Sequence, residues 1–325
     1  MFEQIKDILS RSRQIAIVSH RNPDGDAYGS SLGLLHFLKK MGHKVNFVTP
    51  NDCPNFLKWM PGQSEIVIFE EQTVTAKEIL QKAEIIFTLD FNNLSRIGDL
   101  EPLIKNSKAT KIMIDHHESP SDYATLMYSD PSMSSTCEMV YHLINKLNKN
   151  AFTSEISNCL YTGIMTDTGS FRYPATTPKT HKAIAHLIEA GASSSNIHEK
   201  IYDSASFSRL KLLGITLSNM KKIQNLPIVY MTLSQEELNT CNYKKGDTEG
   251  FVNYGLSIEG AQMTLFMREE EGVVKLSLRS KGIIDVNEIA RASFNGGGHK
   301  NAAGGKLEMA LPEALAYAKK VFVWD

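Results

Sequence analysis

The chain has 325 residues, 42% of them hydrophobic and 22% charged, with a formal net charge of −1. That is enough apolar material for two cored domains, and the charge balance argues against a broad cationic face for long nucleic acid. No run of about 18 apolar residues is present for a membrane span, and the N-terminal MFEQIKDILSRSRQ is charged throughout, so a cytoplasmic protein with no membrane partner is expected.

In chain order, residues 14–20 (QIAIVSH) read as a buried strand, and residues 26–41 place Leu32, Leu35 and Leu38 near one helical face before Gly42. Residues 44–50, 65–69, 84–90 and 111–115 repeat the strand pattern, with helical or loop segments between them. Strands separated by helix-length crossovers predict an α/β fold with a mainly parallel sheet covered on both faces. Residues 134–148, 154–165 and 178–190 read as helices, and 196–221 as an amphipathic helical connector. Beyond it, 227–233 and 272–280 are strand-like, 234–240 and 286–292 helical, and a glycine-rich segment precedes a C-terminal helix. This change of pattern predicts a domain over 1–190, a helical linker over 191–225 and a smaller α/β domain over 226–325. Cys53, Cys137, Cys159 and Cys241 are scattered, without a metal-type cluster, and are expected to be reduced, mostly buried thiols.

Acids and histidines concentrate in four short segments. His20-Arg-Asn-Pro-Asp24-Gly-Asp26 follows the first strand and opens a helix, Asp90 ends another strand, and Asp115-His116-His117 ends a third. Asp167 follows a helical stretch in Thr-Asp-Thr-Gly-Ser-Phe-Arg172. Ligands collect beyond the carboxyl ends of parallel strands, and Pro23 and Gly25 suit a sharp turn there. A lone aspartate after a strand is more often a helix cap, but the repetition at three strand ends points to one shared crevice. Carboxylates crowded there repel one another, and divalent cations remove that conflict. A mixed carboxylate and imidazole shell suits manganese or iron better than structural zinc, and two ions roughly 3.5–4 Å apart would clamp a phosphoryl displacement.

The ordered set His20-x-x-x-Asp24-x-Asp26, Asp90, Asp115-His116-His117 and Asp167 resembles the four motifs of the DHH phosphoesterase superfamily. That superfamily includes RecJ-type exonucleases, family II inorganic pyrophosphatases, cyclic-dinucleotide phosphodiesterases and bacterial nanoRNases. Gly296-Gly-Gly-His299-Lys-Asn-Ala-Ala-Gly304 resembles the glycine-rich motif of the DHH-associated domain, so the likeness spans residues 20 to 304. It implies that the first domain is catalytic and the last binds substrate. It further implies that His20, Asp24 and Asp90 hold one metal and Asp26, Asp90, His116 and Asp167 the other, with Asp90 bridging. His117 would face the scissile phosphate or the leaving oxygen. The ions implied are two Mn2+, with Mg2+ or another divalent ion as alternatives. Asp115 is either the orienter of a histidine or a strand-end turn carboxylate. Tyr28 stands where the family commonly has an aliphatic residue, for packing or for lining the pocket.

The amides of Gly296, Gly297 and Gly298 can approach a phosphate closely, with His299 and Lys300 beside them; a flexible surface loop is the alternative. Arg279 is either a phosphate clamp or an exposed strand charge, and Arg96 and Arg172 are weaker candidates of the same kind. His36, His43, His142, His181, His186 and His198 are expected in packing or surface roles. Cleavage is expected in the groove between the domains.

The resemblance implies a metal-dependent enzyme that degrades very short RNA to mononucleotides and dephosphorylates 3′-phosphoadenosine 5′-phosphate. Its partners are then short RNA and small nucleotides; a homodimer is compatible with the sequence. The second enzymatic expectation is a phosphodiesterase for cyclic dinucleotides or linear products such as pApA. Pyrophosphatases usually carry another residue at the position of Gly25. A non-catalytic nucleotide sensor is disfavoured by the intact acids of all four motifs.

Overall fold

Ile15, Ala16, Ile17 and Val18 are each at most 1% exposed, which requires apolar cover on both sides of their strand. In the computed structural model Ile15 and Ile17 join one hydrophobic cluster, whereas Ala16 and Val18 join another. The strand is β1 (Gln14–Ser19), and it lies inside a six-stranded sheet. The chain divides into two units, Met1–Ser204 and Ala205–Asp325, and residues 1–322 are described.

In the first unit β1 is joined by β2 (Lys44–Thr49), β3 (Val67–Ile68), β4 (Ile85–Leu89), β5 (Thr110–Asp115) and β6 (Leu126–Ser129) in the order β3-β2-β1-β4-β5-β6. All five pairings are parallel. The helices, in chain order, are α1 (Phe2–Ile8), α2 (Gly25–Lys40), α3 (Thr73–Lys82), α4 (Glu101–Asn106), α5 (Thr136–Asn148), α6 (Ser154–Asp167), α7 (Pro178–Glu189) and α8 (Ser194–Tyr202). Leu32, Leu35, Val140, Ile144, Leu160 and Ile164 from α2, α5 and α6 fill one side of the sheet. Ala76, Leu80, Ile97 and Ile104 from α3, α4 and the turn before α4 fill the other. Strand order reverses between β1 and β4, and the crevice outside a parallel sheet opens at such a switch. Motif residues follow β1 and β4 directly.

The second unit holds α9 (Phe207–Ser218), β7 (Lys221–Lys222), β8 (Ile228–Leu233), α10 (Gln235–Thr240), β9 (Met263–Glu270), β10 (Val273–Ser280), α11 (Val286–Ser293), β11 (Gly297–His299), β12 (Ala302–Leu307) and α12 (Leu311–Phe322). Its sheet runs β11-β12-β10-β9-β8-β7; β8 and β9 pair in parallel and the other neighbours antiparallel. Along β10, Val274, Leu276 and Leu278 enter a core with Val286, Ala290, Ala314 and Ala318, while Lys275, Ser277 and Arg279 face the opposite, more open side.

The expected connector over 196–221 is two helices, α8 and α9, one in each unit. The break comes where Ser206 caps α9, its side chain accepting from the Arg209 amide at 3.1 Å, a bond available only to an extended residue outside the helix. Strand β9, with its buried run Met263–Met267, and the glycine-bearing β12 lie where no strand was expected.

Candidate metal centre

His20 leaves the end of β1, and Asn22, at φ 55, turns the chain. Asp24 caps α2, one oxygen accepting from the amides of Asp26 and Ala27 at 3.0 Å each. Gly25 is the first residue of α2 and not the turn former expected. A Cβ there would stand 2.3 Å from Thr166 Oγ1, and one on Gly29 would stand 2.5 Å from the Cys159 carbonyl. Glycine therefore lets α2 and α6 approach closely. That approach brings Asp26, near the start of α2, to Asp167, the last residue of α6.

Asp90 follows β4 at φ 66 and is 2% exposed. A non-glycine residue rarely adopts this left-handed conformation, although aspartate tolerates it better than most. Its two oxygens part company. Oδ2 lies 3.3 Å from His20 Nε2, whereas Oδ1 lies 3.7 Å from His116 Nε2 and accepts from Thr136 Oγ1 at 2.9 Å. His20 Nε2 is 4.0 Å from Asp24 Oδ1. His116 Nε2 is 3.8 Å from Asp26 Oδ2 and 3.4 Å from Asp167 Oδ2. Among the described residues, His20-Asp24-Asp90, built around the His20 imidazole, and Asp26-Asp90-His116, built around that of His116, are sets whose donor atoms lie within 4.8 Å of one another, and Asp90-Asp115-His117 is a further such set.

Both imidazoles are oriented from behind. His20 Nδ1 lies 2.9 Å from the Arg21 carbonyl and His116 Nδ1 3.3 Å from that of Met133. A carbonyl only accepts, so Nδ1 carries the hydrogen and Nε2 turns its lone pair toward the carboxylates, as metal-binding histidines do. His117 is also held through Nδ1, but by a carboxylate. Its Nδ1 lies 2.7 Å from Oδ1 of the fully buried Asp115, which orients the ring from the carboxylate side.

Burial pushes the Asp26 carboxyl well above the usual carboxylate range, and Asp90 and Asp167 add to the effect. For Asp90 burial acts in the same sense, but the His20 hydrogen bond and the charges of His117, His20 and His116 hold it far below that range. Burial disfavours charged His20 and His116, yet Asp90 and Asp24 raise the first, and Asp26 and Asp90 the second. Without cations the pocket draws protons. Divalent cations relieve the same repulsion, and this oxygen and imidazole donor set fits them.

The sequence reading missed the start of α5. The amides of Thr136 and Cys137 donate to the two oxygens of Asp26 at 2.6 and 2.8 Å. Ser135 to Glu138, a capping pattern before an apolar run, was the available signal. Tyr28 is fully buried and packs edge-on against Phe47, so its role is packing. His36, His142 and His186 bond Pro61, Glu138 and Tyr141. His43 is buried, His181 packs near Phe171, and His198 bonds Ser194. Arg172 Nε donates to the Gly169 carbonyl. All four cysteines are buried and unpaired.

In the second unit the glycine-rich segment is β11 and not a loop. The amide of Gly296 donates to the Ala290 carbonyl and that of Gly298 to Asn287 Oδ1, so two of the three expected phosphate donors serve the fold. A Cβ on Gly298 would stand 2.4 Å from the Ala302 carbonyl, and close strand packing accounts for that glycine. Arg279 and Ser277 line a cavity of about 340 Å³ together with Thr248, Arg268, Lys275 and Gly304. Arg268 and Lys275 both pair with Glu270. Arg279 has no carboxylate partner among the described residues and donates to the Leu278 carbonyl. No helix is long and apolar enough to cross a membrane among the described residues.

Residues 14–164 match the DHH family N-terminal domain, and residues 225–323 match the DHHA1 domain. The chain is 33% identical over 294 residues to the bifunctional oligoribonuclease and PAP phosphatase NrnA of Thermus thermophilus, covering 90% of this chain and 84% of that one. Against the protein of that name from Bacillus subtilis the identity is 28% over 295 residues, covering 90% and 89%. The crystal structure of an exopolyphosphatase-related protein from Bacteroides fragilis is 40% identical, with a TM-score of 0.96 and coverage of 98% and 94%. The chain belongs to the DHH family of phosphoesterases, its second unit carrying the DHHA1 domain.

Proposed function

We propose that this enzyme is a manganese-dependent oligoribonuclease that degrades very short RNA to mononucleotides and also dephosphorylates 3′-phosphoadenosine 5′-phosphate. One observation carries the two-metal part of this reading: the oxygens of Asp90 divide between the His20 and the His116 groups. The similarity to the NrnA proteins supports the substrate class. The four buried, unpaired cysteines support a reducing, cytoplasmic setting.

His20, Asp24 and Asp90 hold one ion, and Asp26, Asp90, His116 and Asp167 the other, with Mg2+ as the alternative to Mn2+. Bound there, the ions would supply Lewis acidity at the phosphate and lower the pKa of a bound water. His117, held through Nδ1 by Asp115, hands a proton to the departing oxygen. Arg279 binds a phosphate that does not react. Gly297, bare of a side chain, lets a nucleotide lie close beside His299, with Gly298 next to it in the same strand.

The test is a Mn2+-dependent assay with dinucleotides, 3′-phosphoadenosine 5′-phosphate, pApA, cyclic dinucleotides and long RNA. Release of mononucleotide from the dinucleotides is expected, with Asp90→Ala inactive and His181→Ala unaffected. Equal or faster turnover of long RNA would sink the short-substrate reading, and activity persisting in Asp90→Ala would overturn the metal assignment.

A further inference from the structure

The start of α5 reaches two of the proposed ligands at once. Ser135 Oγ caps the helix by accepting from the Glu138 amide at 3.0 Å. The next two amides have no intrahelical acceptor, as at every helix start, and both are directed at Asp26. Thr136 N donates to Oδ2 at 2.6 Å and Cys137 N to Oδ1 at 2.8 Å. The plane of that carboxylate is thereby held at both oxygens, near the positive end of the helix dipole. The Thr136 hydroxyl has a single hydrogen, and Asp90 Oδ1 receives it at 2.9 Å.

This turn is itself anchored. Glu138, 1% exposed, accepts from Ser134 Oγ at 2.5 Å and from Thr180 Oγ1 at 3.0 Å. Thr136 is fully buried, and a β-branched side chain in a helix has few χ1 choices. The Asp90 carboxylate it contacts sits on a left-handed backbone, which alone would not keep one oxygen toward each group.

We propose that Thr136 is a positioning residue: its hydroxyl sets the Asp90 carboxylate to span both metal groups, while the α5 amides preset Asp26. The inference rests on the two-metal reading above. Hydrogen bonds behind metal ligands typically change metal affinity by about 10–100-fold when lost, so the effect is measurable apart from catalysis. Thr136→Val keeps the shape and removes only the donor. Thr136→Ser keeps the donor and loses a methyl group. Thr216→Val removes a buried hydroxyl whose partner is the Leu212 carbonyl in α9, and serves as the control.

The experiment is a titration of the metal-free full-length proteins with Mn2+, reading free ion by electron paramagnetic resonance, with melting curves recorded alongside. Expected are two ions bound by the wild type, affinity lowered about tenfold or more in Thr136→Val, and affinity within about threefold of wild type in Thr136→Ser and Thr216→Val. Should Thr136→Val not fold, Thr136→Ala is compared with Thr136→Ser, and the hydroxyl alone must separate them. Wild-type affinity in the variants lacking the hydroxyl, or equal loss in Thr136→Ser, overturns the inference and leaves the metal reading standing. A wild type that binds no Mn2+ overturns both.

Discussion

The two units carry their candidate residues in opposite ways. In the first, Asp26, Asp90 and Asp115 are at most 2% exposed, and each accepts hydrogen bonds from behind or beside the pocket. In the second, Arg279 and His299 lie half-exposed on a sheet surface, and the amides of Gly296 and Gly298 tie the glycine-rich segment to α11. Buried, multiply bonded groups keep one geometry, which bond-breaking requires. Open, partly solvated groups can admit ligands of differing shape. The contrast agrees with the proposed division, with chemistry in the first unit and selection in the second.

The severest way to break that contrast is Asp90→Asn. Asparagine tolerates the left-handed backbone of this position, so the fold is retained while the charge is lost. Activity on a dinucleotide should fall by about 10³-fold or more with the melting temperature little changed; a loss below tenfold contradicts a bridging role. Next comes His117→Ala, for which kcat should drop about 10²–10³-fold with Mn2+ stoichiometry intact, whereas loss of a bound ion would make it a ligand. Asp115→Asn should reproduce part of that drop, roughly tenfold.

For the second unit, Arg279→Ala should raise KM for short substrates about tenfold and leave kcat within about threefold, the signature of lost uniform binding. A kcat effect as large as that of His117→Ala would erase the division between the units. The smallest effect concerns acid stability. Burial pushes the Glu138 carboxyl up, but hydrogen bonds from His142, Ser134 and Thr180 outweigh it and hold the group below its ordinary value. Its stabilisation is therefore complete above the unfolded carboxylate range and is lost as pH falls through the depressed folded value. The gap in melting temperature between wild type and Glu138→Gln should narrow toward pH 3; a constant gap would assign Glu138 a packing role alone.

Much of the first unit was legible because its strands are nearly continuous apolar runs ending in acids or histidines, as at Ile15–His20 and Ile85–Asp90. A parallel sheet buried on both faces demands that pattern. The second unit was less so. Strand β12 contains Ala302-Ala303-Gly304-Gly305, a poor strand former by propensity. Gly305 is nevertheless required, since a Cβ there would stand 2.4 Å from the Phe294 carbonyl. Local preference carries no trace of a contact made by a neighbouring chain segment.

Residue types and their order along the chain already marked the acid and histidine cluster, and the family resemblance picked out its proposed ligands, His20, Asp24, Asp26, Asp90, His116 and Asp167, with His117 set apart. Only the tertiary structure decided how they are held. Asp26 takes its hydrogen bonds from amides 110 and 111 residues away, and the two oxygens of Asp90 meet different partners, His20 at one and Thr136 at the other. Backbone amides look alike in every sequence, and folding alone determines where they point.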